Sequence, residues 1–266
     1  MENYNVKFKK KYGQNFLKDI SIVDRIVSTC DIDLNSLVIE VGPGGAILTR
    51  SLAKIAKKVL AYEIDNDLAD ELFYKLDGYS NVDILFQDFL VSDIVADVKN
   101  YNYDKLFFVS NVPYYITTPI ILKIIDSGLK FDKIVMMVQK EVGNRFTTSP
   151  GSREYGSITV LLNYFYDIKK EFYVSRNNFI PKPNVDSVVV SFCEKKNKEK
   201  VNDFVFFKKI VRDSFRFKRK TIKNNLIEYD LKRVEEVLQK HGFNLSSRAE
   251  MLPLCVFVDL SNALSK

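Results

Sequence analysis

Apolar positions recur along the chain with two periods. Five short runs, Ser36–Val41, Lys58–Ile64, Asn81–Phe86, Lys105–Ser110 and Phe131–Val138, are almost continuously apolar and rich in β-branched and aromatic residues. Runs without polar alternation suit parallel strands covered on both faces. Between them the spacing turns helical. Ile20, Ile22, Val23, Ile26 and Val27 follow Asp19, a residue able to cap a helix. Residues 47–53, the acid-led segment 65–72 and the stretch 117–125 read the same way. Strand and helix in alternation predict an α/β fold with a doubly wound sheet. Beyond it come a short helix at 139–146, a polar loop at 147–153, an amphipathic helix at 155–166 and two closing strands at 169–175 and 185–192. The pattern then changes. Residues 194–202 are highly charged and apolar-poor, which marks a linker. Helical spacing follows at 204–220, 231–240 (stopped by Gly242), 247–251 and 254–264. These periods divide the chain into an α/β domain, 1–194, and a small all-helical domain, 195–266.

Composition narrows the possibilities. Of 266 residues, 46% are hydrophobic, enough for a substantial core. No apolar stretch approaches the roughly 18 residues that cross a bilayer, and the N-terminus shows no secretory apolar region. A cytoplasmic protein without membrane contact is expected. Cys30, Cys193 and Cys255 are odd in number and far apart, which fits a reducing compartment better than a disulfide frame or a metal centre. With His241 as the single histidine, a Ser-His-Asp triad or His-rich metal site is not expected. Charge is unevenly shared. Residues 1–194 carry 23 Lys and Arg against 25 acids; residues 195–266 carry 17 against 9. A basic tail, with Arg212, Arg216, Lys218, Arg219 and Lys220 on the 204–220 helix, suits a polyanion partner or merely a solvated helix face. The basic and aromatic arm Lys7-Phe-Lys-Lys-Lys-Tyr-Gly-Gln-Asn-Phe-Leu-Lys18 allows the same two readings.

Candidate chemistry gathers where strands end, the usual place for ligands in such sheets. The first strand runs into Gly42-Pro43-Gly44-Gly45, a turn whose backbone can approach a ligand closely. Ile47 stands where a dinucleotide fingerprint wants glycine, so a pyrophosphate is poorly served. Glu63, 21 residues after Gly42, can accept both hydroxyls of a ribose. Asp88 can accept from an adenine amine, or act as an N-cap. After the fourth strand come Asn111-Val-Pro-Tyr114: an amide oxygen, a backbone fixed by Pro113 and the flat face of Tyr114. These suit a planar heterocycle with an exocyclic amine. Phe179, in a link held extended by two prolines, is a second aromatic plate or a core residue. Four acceptor positions on successive strands describe one crevice for a nucleoside with an amino-acid-like tail, beside a place for a second flat ring.

These motifs, in this order, resemble the ribosomal RNA adenine N6,N6-dimethyltransferases that modify 16S rRNA. The resemblance rests on Gly13-Gln-Asn-Phe-Leu17, Glu40-Val-Gly-Pro-Gly-Gly45, Glu63, Gln87-Asp88-Phe89, Asn111-Val-Pro-Tyr-Tyr115, Glu154-Tyr-Gly-Ser157 and Phe179-Ile-Pro-Lys-Pro-Asn-Val-Asp-Ser187. It implies a Rossmann-like methyltransferase sheet, S-adenosylmethionine as cofactor, and donor contacts at Asn15, Leu17, Gly42, Glu63, Asp88 and Asn111. It implies catalysis by Asn111 and the Pro113 carbonyl, with Tyr114 and Phe179 clamping the adenine. The implied partner is 16S rRNA or a small-subunit precursor, bound through the basic residues; nothing demands more than a monomer. Val112 and Tyr115 stand where the family commonly has Leu and Asn. The rival readings are a resistance-type 23S rRNA methyltransferase, an NAD-dependent dehydrogenase, and a ribosome-assembly factor.

Overall fold

A computed structural model describes residues 14–265; the arm from Lys7 to Gly13 lies outside them. The chain forms two compact units, one of residues 1–143 and 169–194, the other of 144–168 and 195–266.

The first unit is built on a seven-stranded sheet. Its strands are β2 (Ser36–Val41), β3 (Lys58–Tyr62), β4 (Val82–Leu85), β5 (Lys105–Asn111), β6 (Lys133–Gln139), β7 (Tyr166–Val174) and β9 (Ser187–Glu194). They lie in the order β4-β3-β2-β5-β6-β9-β7. The first five in that order are parallel, and β9 pairs antiparallel with β6. The chain returns to the middle of the sheet between β4 and β5, so order reverses between β2 and β5, where such sheets open a crevice. β2 is buried throughout, as are Leu106–Ser110 of β5 and Ile134–Val138 of β6. That is why these strands read as unbroken apolar runs.

Helices α1 (Ile20–Ser28), α2 (Ile47–Ala53), α3 (Ala69–Lys75), α4 (Ile94–Val98) and α5 (Thr117–Ser127) connect and cover the strands. Asp19 does cap α1, its carboxylate accepting from Ser21 N–H at 3.0 Å. Val23 and Ile26 of α1 share one core cluster with Leu52 of α2, Val38 of β2 and Val109 of β5. Each such buried side chain contributes roughly 1.5–3 kcal/mol. A further pairing was not expected from periodicity: β1 (Phe16–Leu17) lies antiparallel to β8 (Phe179–Ile180), with Leu17 opposite Phe179.

The second unit holds α7 (Ser157–Phe165), α8 (Phe204–Ser214), α9 (Ile222–Asn225), α10 (Leu231–Lys240) and α11 (Leu254–Leu264). Between the units' segments, α6 (Lys140–Phe146) follows β6 directly. The expected boundary at 194 is corrected here. Val160 and Tyr155 belong to one apolar cluster with Phe207, Ile210, Val234 and Phe257. The α7 stripe is buried by the tail helices, so residues 144–168 join the second unit. A second correction concerns α8, which ends at Ser214. Arg216, Lys218, Arg219 and Lys220 therefore stand on a loop, and only Arg212 of the five is helical.

Candidate active site at the ends of the parallel strands

The ends of β4, β3, β2 and β5 lie side by side and open on one cavity of about 290 Å³. Asp88, Glu63, the Gly42–Gly45 loop and Asn111 line it, one from each strand. The loop owes its path to glycine at two points. Gly42 has φ +75, and its N–H donates to the Tyr62 carbonyl at 2.8 Å. Gly44 has φ +50, and a Cβ there would stand 2.7 Å from the Phe16 ring. A side chain would therefore meet both backbone strain and a packed aromatic.

Each acceptor is held by backbone. Glu63 Oε2 accepts from Gly44 N–H at 3.3 Å and Oε1 from Asp65 N–H at 2.9 Å. This fixes the carboxylate at the tip of β3 and leaves each oxygen a further lone pair. Burial raises the Glu63 carboxyl above its ordinary value, and the Asp65 charge adds to the effect. Asp88 Oδ1 accepts from Leu90 N–H at 2.8 Å. This bond closes a turn rather than capping a helix, since Asp93 caps α4, and Asp88 also lines the cavity. Asn111 donates its amide Nδ2 to the Asn15 carbonyl at 3.2 Å. That bond assigns the ends of the amide: nitrogen towards the N-terminal segment, Oδ1 as the acceptor.

Residues 14–18 form a strap along the cavity. Gln14 Nε2 donates to Asp65 Oδ2 at 2.8 Å, Phe16 sits against Gly44, and Lys18 N–H donates to the Asn178 carbonyl at 3.0 Å. Asn15 and Leu17 both line the cavity. Tyr114 is half-buried, its hydroxyl bonded to Ser187 Oγ at 2.6 Å at the start of β9. Burial raises its phenol above the ordinary range, so the ring stays neutral.

Two of the expected residues make further contacts in the structure. Phe179 is only 2% exposed and packs in the core with Leu17, Val174 and Val189. Its pairing with β1 turns it inwards, and it does not line the cavity among the described residues. The Pro113 carbonyl accepts from Ile116 N–H at 3.1 Å in the turn that leads into α5 and keeps a second lone pair. Its neighbour, the Val112 carbonyl, accepts no hydrogen bond among the described residues.

Glu40, the first residue of the Glu40–Gly45 motif, also belongs to the site. It is 1% exposed in the cavity wall, and its Oε2 has no hydrogen-bond partner among the described residues. Burial pushes its carboxyl up to about 8, with the Glu63 charge acting in the same direction. The signal was present in the sequence, since one acid interrupts the wholly apolar run Ser36–Val41. Two buried carboxylates line the cavity, and no Lys or Arg does among the described residues. A pyrophosphate would find repulsion there. A nucleoside bearing a sulfonium and an ammonium group would find acceptors for its ribose, its amines and its positive charge.

Sheet order and site together define a nucleoside-binding α/β enzyme of Rossmann-like fold. The family model for ribosomal RNA adenine dimethylase matches residues 5–266. A ribosomal RNA small subunit methyltransferase A from Ligilactobacillus salivarius is 42% identical, over 100% of this chain and 93% of that protein. One of the same name from Macrococcus caseolyticus is 40% identical, with the same coverage. Among solved structures, a dimethyladenosine transferase from Plasmodium falciparum superposes with a TM-score of 0.77 at 27% identity, covering 92% of this chain and 95% of that one. The 23S rRNA methyltransferase ErmE gives 0.72 at 26%, covering 95% and 100%. The chain belongs to the ribosomal RNA adenine dimethylase family, and its methyl donor is S-adenosylmethionine.

Proposed function

We propose that this enzyme dimethylates N6 of adenosines, two adjacent ones, in 16S rRNA during maturation of the small ribosomal subunit. The observation that carries this reading is the Asn111 amide, oriented by the Asn15 carbonyl so that Oδ1 is the free acceptor. When bound, S-adenosylmethionine supplies an electrophilic methyl group on a sulfonium. The chain's own task is to present a nucleophile to it. Glu63 holds the ribose hydroxyls, Asp88 the donor's adenine amine, and Asn15, Leu17 and Gly42 the rest of the crevice wall.

The N6 amine of the target adenine is a poor nucleophile, because its lone pair is delocalised into the ring. Asn111 Oδ1 and the Pro113 carbonyl accept its two hydrogens. These bonds draw the nitrogen towards a tetrahedral shape and localise the pair. The Tyr114 ring supports the base. Orientation of this kind can contribute roughly 7–11 kcal/mol to a transfer. A nitrogen that has gained a fourth bond is acidic enough to lose its proton to water, so no strong base is required. The target base leaves its stack or comes from a loop to enter such a site. Arg212, Arg216, Lys218, Arg219 and Lys220 hold phosphates.

The test is transfer of tritiated methyl to small-subunit particles lacking the modification, followed by nucleoside analysis. Dimethyladenosine is expected from small-subunit particles, and none from large-subunit particles. The reverse pattern, a 23S rRNA specificity, would overturn this reading.

A further inference from the structure

Helical periodicity continues in sequence beyond Ser214, yet the helix stops there, and the stop is built by one side chain. Asn225 is 7% exposed. Its Nδ2 donates to the Ser214 carbonyl at 2.7 Å, and its Oδ1 accepts from Phe217 N–H at 3.0 Å. A longer contact, 3.4 Å, joins Nδ2 to the Phe217 carbonyl. That carbonyl also accepts from Lys220 N–H at 2.9 Å, which closes a tight turn over 217–220. One buried amide therefore fixes the backbone of the loop from both sides.

The loop sorts its two phenylalanines. Phe215 turns inwards and stacks on Phe257, with ring centroids 5.6 Å apart and planes at 27°. Phe217 turns outwards and is 51% exposed. Single exposed apolar residues are common and need no explanation. This one differs in its surroundings. It lies between Arg216 and the run Lys218-Arg219-Lys220, all exposed. The Arg216 guanidinium is 5.4 Å from its ring centroid. Among the described residues no acid reaches Lys218, Arg219 or Lys220, and Arg216 meets only Glu228, at 3.7 Å. A rigid loop that offers one flat apolar face amid four cations matches an unpaired nucleotide: ring for the base, cations for the phosphates on either side.

We propose that the 215–220 loop is an RNA-reading element in which Phe217 stacks on an unpaired base of the ribosomal RNA, while Lys218, Arg219 and Lys220 contact the flanking phosphates. This rests on the RNA-modifying function proposed above and adds a base contact to what would otherwise be a purely electrostatic surface. Stacking on an aromatic side chain depends little on salt, whereas each phosphate contact releases counterions. The two kinds of contact therefore separate in a salt titration.

The experiment measures binding of the full chain to protein-free small-subunit ribosomal RNA across a range of salt concentrations. Phe217→Ala is expected to weaken binding about tenfold at every salt concentration, with the slope unchanged. Phe217→Tyr should bind as the parent does. Arg219→Ala should reduce the slope by about one. Because Phe217 is exposed, its melting temperature should not move. Parental affinity in Phe217→Ala would overturn the proposal. So would a loss confined to a flatter salt slope, which would make Phe217 a spacer for the cations. If the parent chain itself shows no salt-dependent binding, the RNA reading fails first and this inference falls with it.

Discussion

The Tyr114 hydroxyl and the Ser187 hydroxyl are 2.6 Å apart, joining the turn after β5 to the first residue of β9 across 73 positions of sequence. Ser187 is fully buried, so its hydroxyl has no solvent to fall back on. The bond fixes the plane of the Tyr114 ring. Removing one partner of a buried hydroxyl pair strands the other. Ser187→Ala and Tyr114→Phe should each lower kcat for methyl transfer, and the double variant should be no worse than either one. A double-mutant cycle should return a coupling of about 1 kcal/mol. Additive losses would mean that the ring is not oriented through this bond.

Asn111 makes a more demanding prediction than truncation. Asn111→Ala removes the acceptor and should abolish transfer. Asn111→Asp keeps an acceptor but loses the nitrogen that donates to Asn15. An aspartate oxygen would face the Asn15 carbonyl, oxygen against oxygen, and the side chain would turn away. Turnover should fall by at least about a hundredfold, as for loss of a positioned catalytic group. Thermal melting should confirm a folded protein. An aspartate variant with near-parental kcat would show that orientation by Asn15 is unimportant.

The strap can be tested at Gly44. A methyl group there meets the Phe16 ring at 2.7 Å on a backbone with φ +50. Gly44→Ala should displace residues 14–18 and weaken S-adenosylmethionine binding by about tenfold or more, read by calorimetry. Phe16→Leu in the same background should recover part of the loss, since it removes the clash but not the strain. Unchanged donor affinity in Gly44→Ala would mean that the strap contributes nothing to that site.

Much of this site could be read before any coordinates. Continuous apolar runs placed β2 to β6, and the Gly-rich turn, Glu63, Asp88 and Asn111 marked four strand ends that the sheet order brings together. What escaped was decided by partners distant in sequence. β1 and β8 have two residues each and no period, and they exist because they pair with one another across more than 160 positions. That pairing drew Phe179 into the core. Helix α8 stops because Asn225, from a later helix, takes the Ser214 carbonyl; the local run of Arg and Lys is as helical in character as what precedes it. The α7 stripe looked like part of the α/β domain because nothing in its pattern names what buries it, and the tail helices do.

Glu40 yields a dependence on pH with a definite sign. In the folded protein its carboxyl keeps a proton up to about 8, because burial and the Glu63 charge oppose ionisation; its ordinary value is 4.5. Between those two values the folded protein binds more proton than the unfolded chain. Its contribution to stability is therefore fully present below pH 4.5, declines as pH rises, and is exhausted above 8. At full coupling the decline is roughly 1.4 kcal/mol per pH unit. Glu63 is raised in the same direction, so the comparison must be with Glu40→Gln, which keeps Glu63. Melting temperature should fall between pH 5 and 8 more steeply in the parent than in the variant. Donor binding should act on the same proton. A positive charge brought beside Glu40 favours its ionised form, so S-adenosylmethionine should release a proton at pH 7 and bind more tightly as pH approaches 8. Calorimetry in buffers of different ionisation enthalpy counts that proton, and Glu40→Gln should abolish its release. Equal release by parent and variant would place the proton on another group and leave Glu40 a purely structural acid.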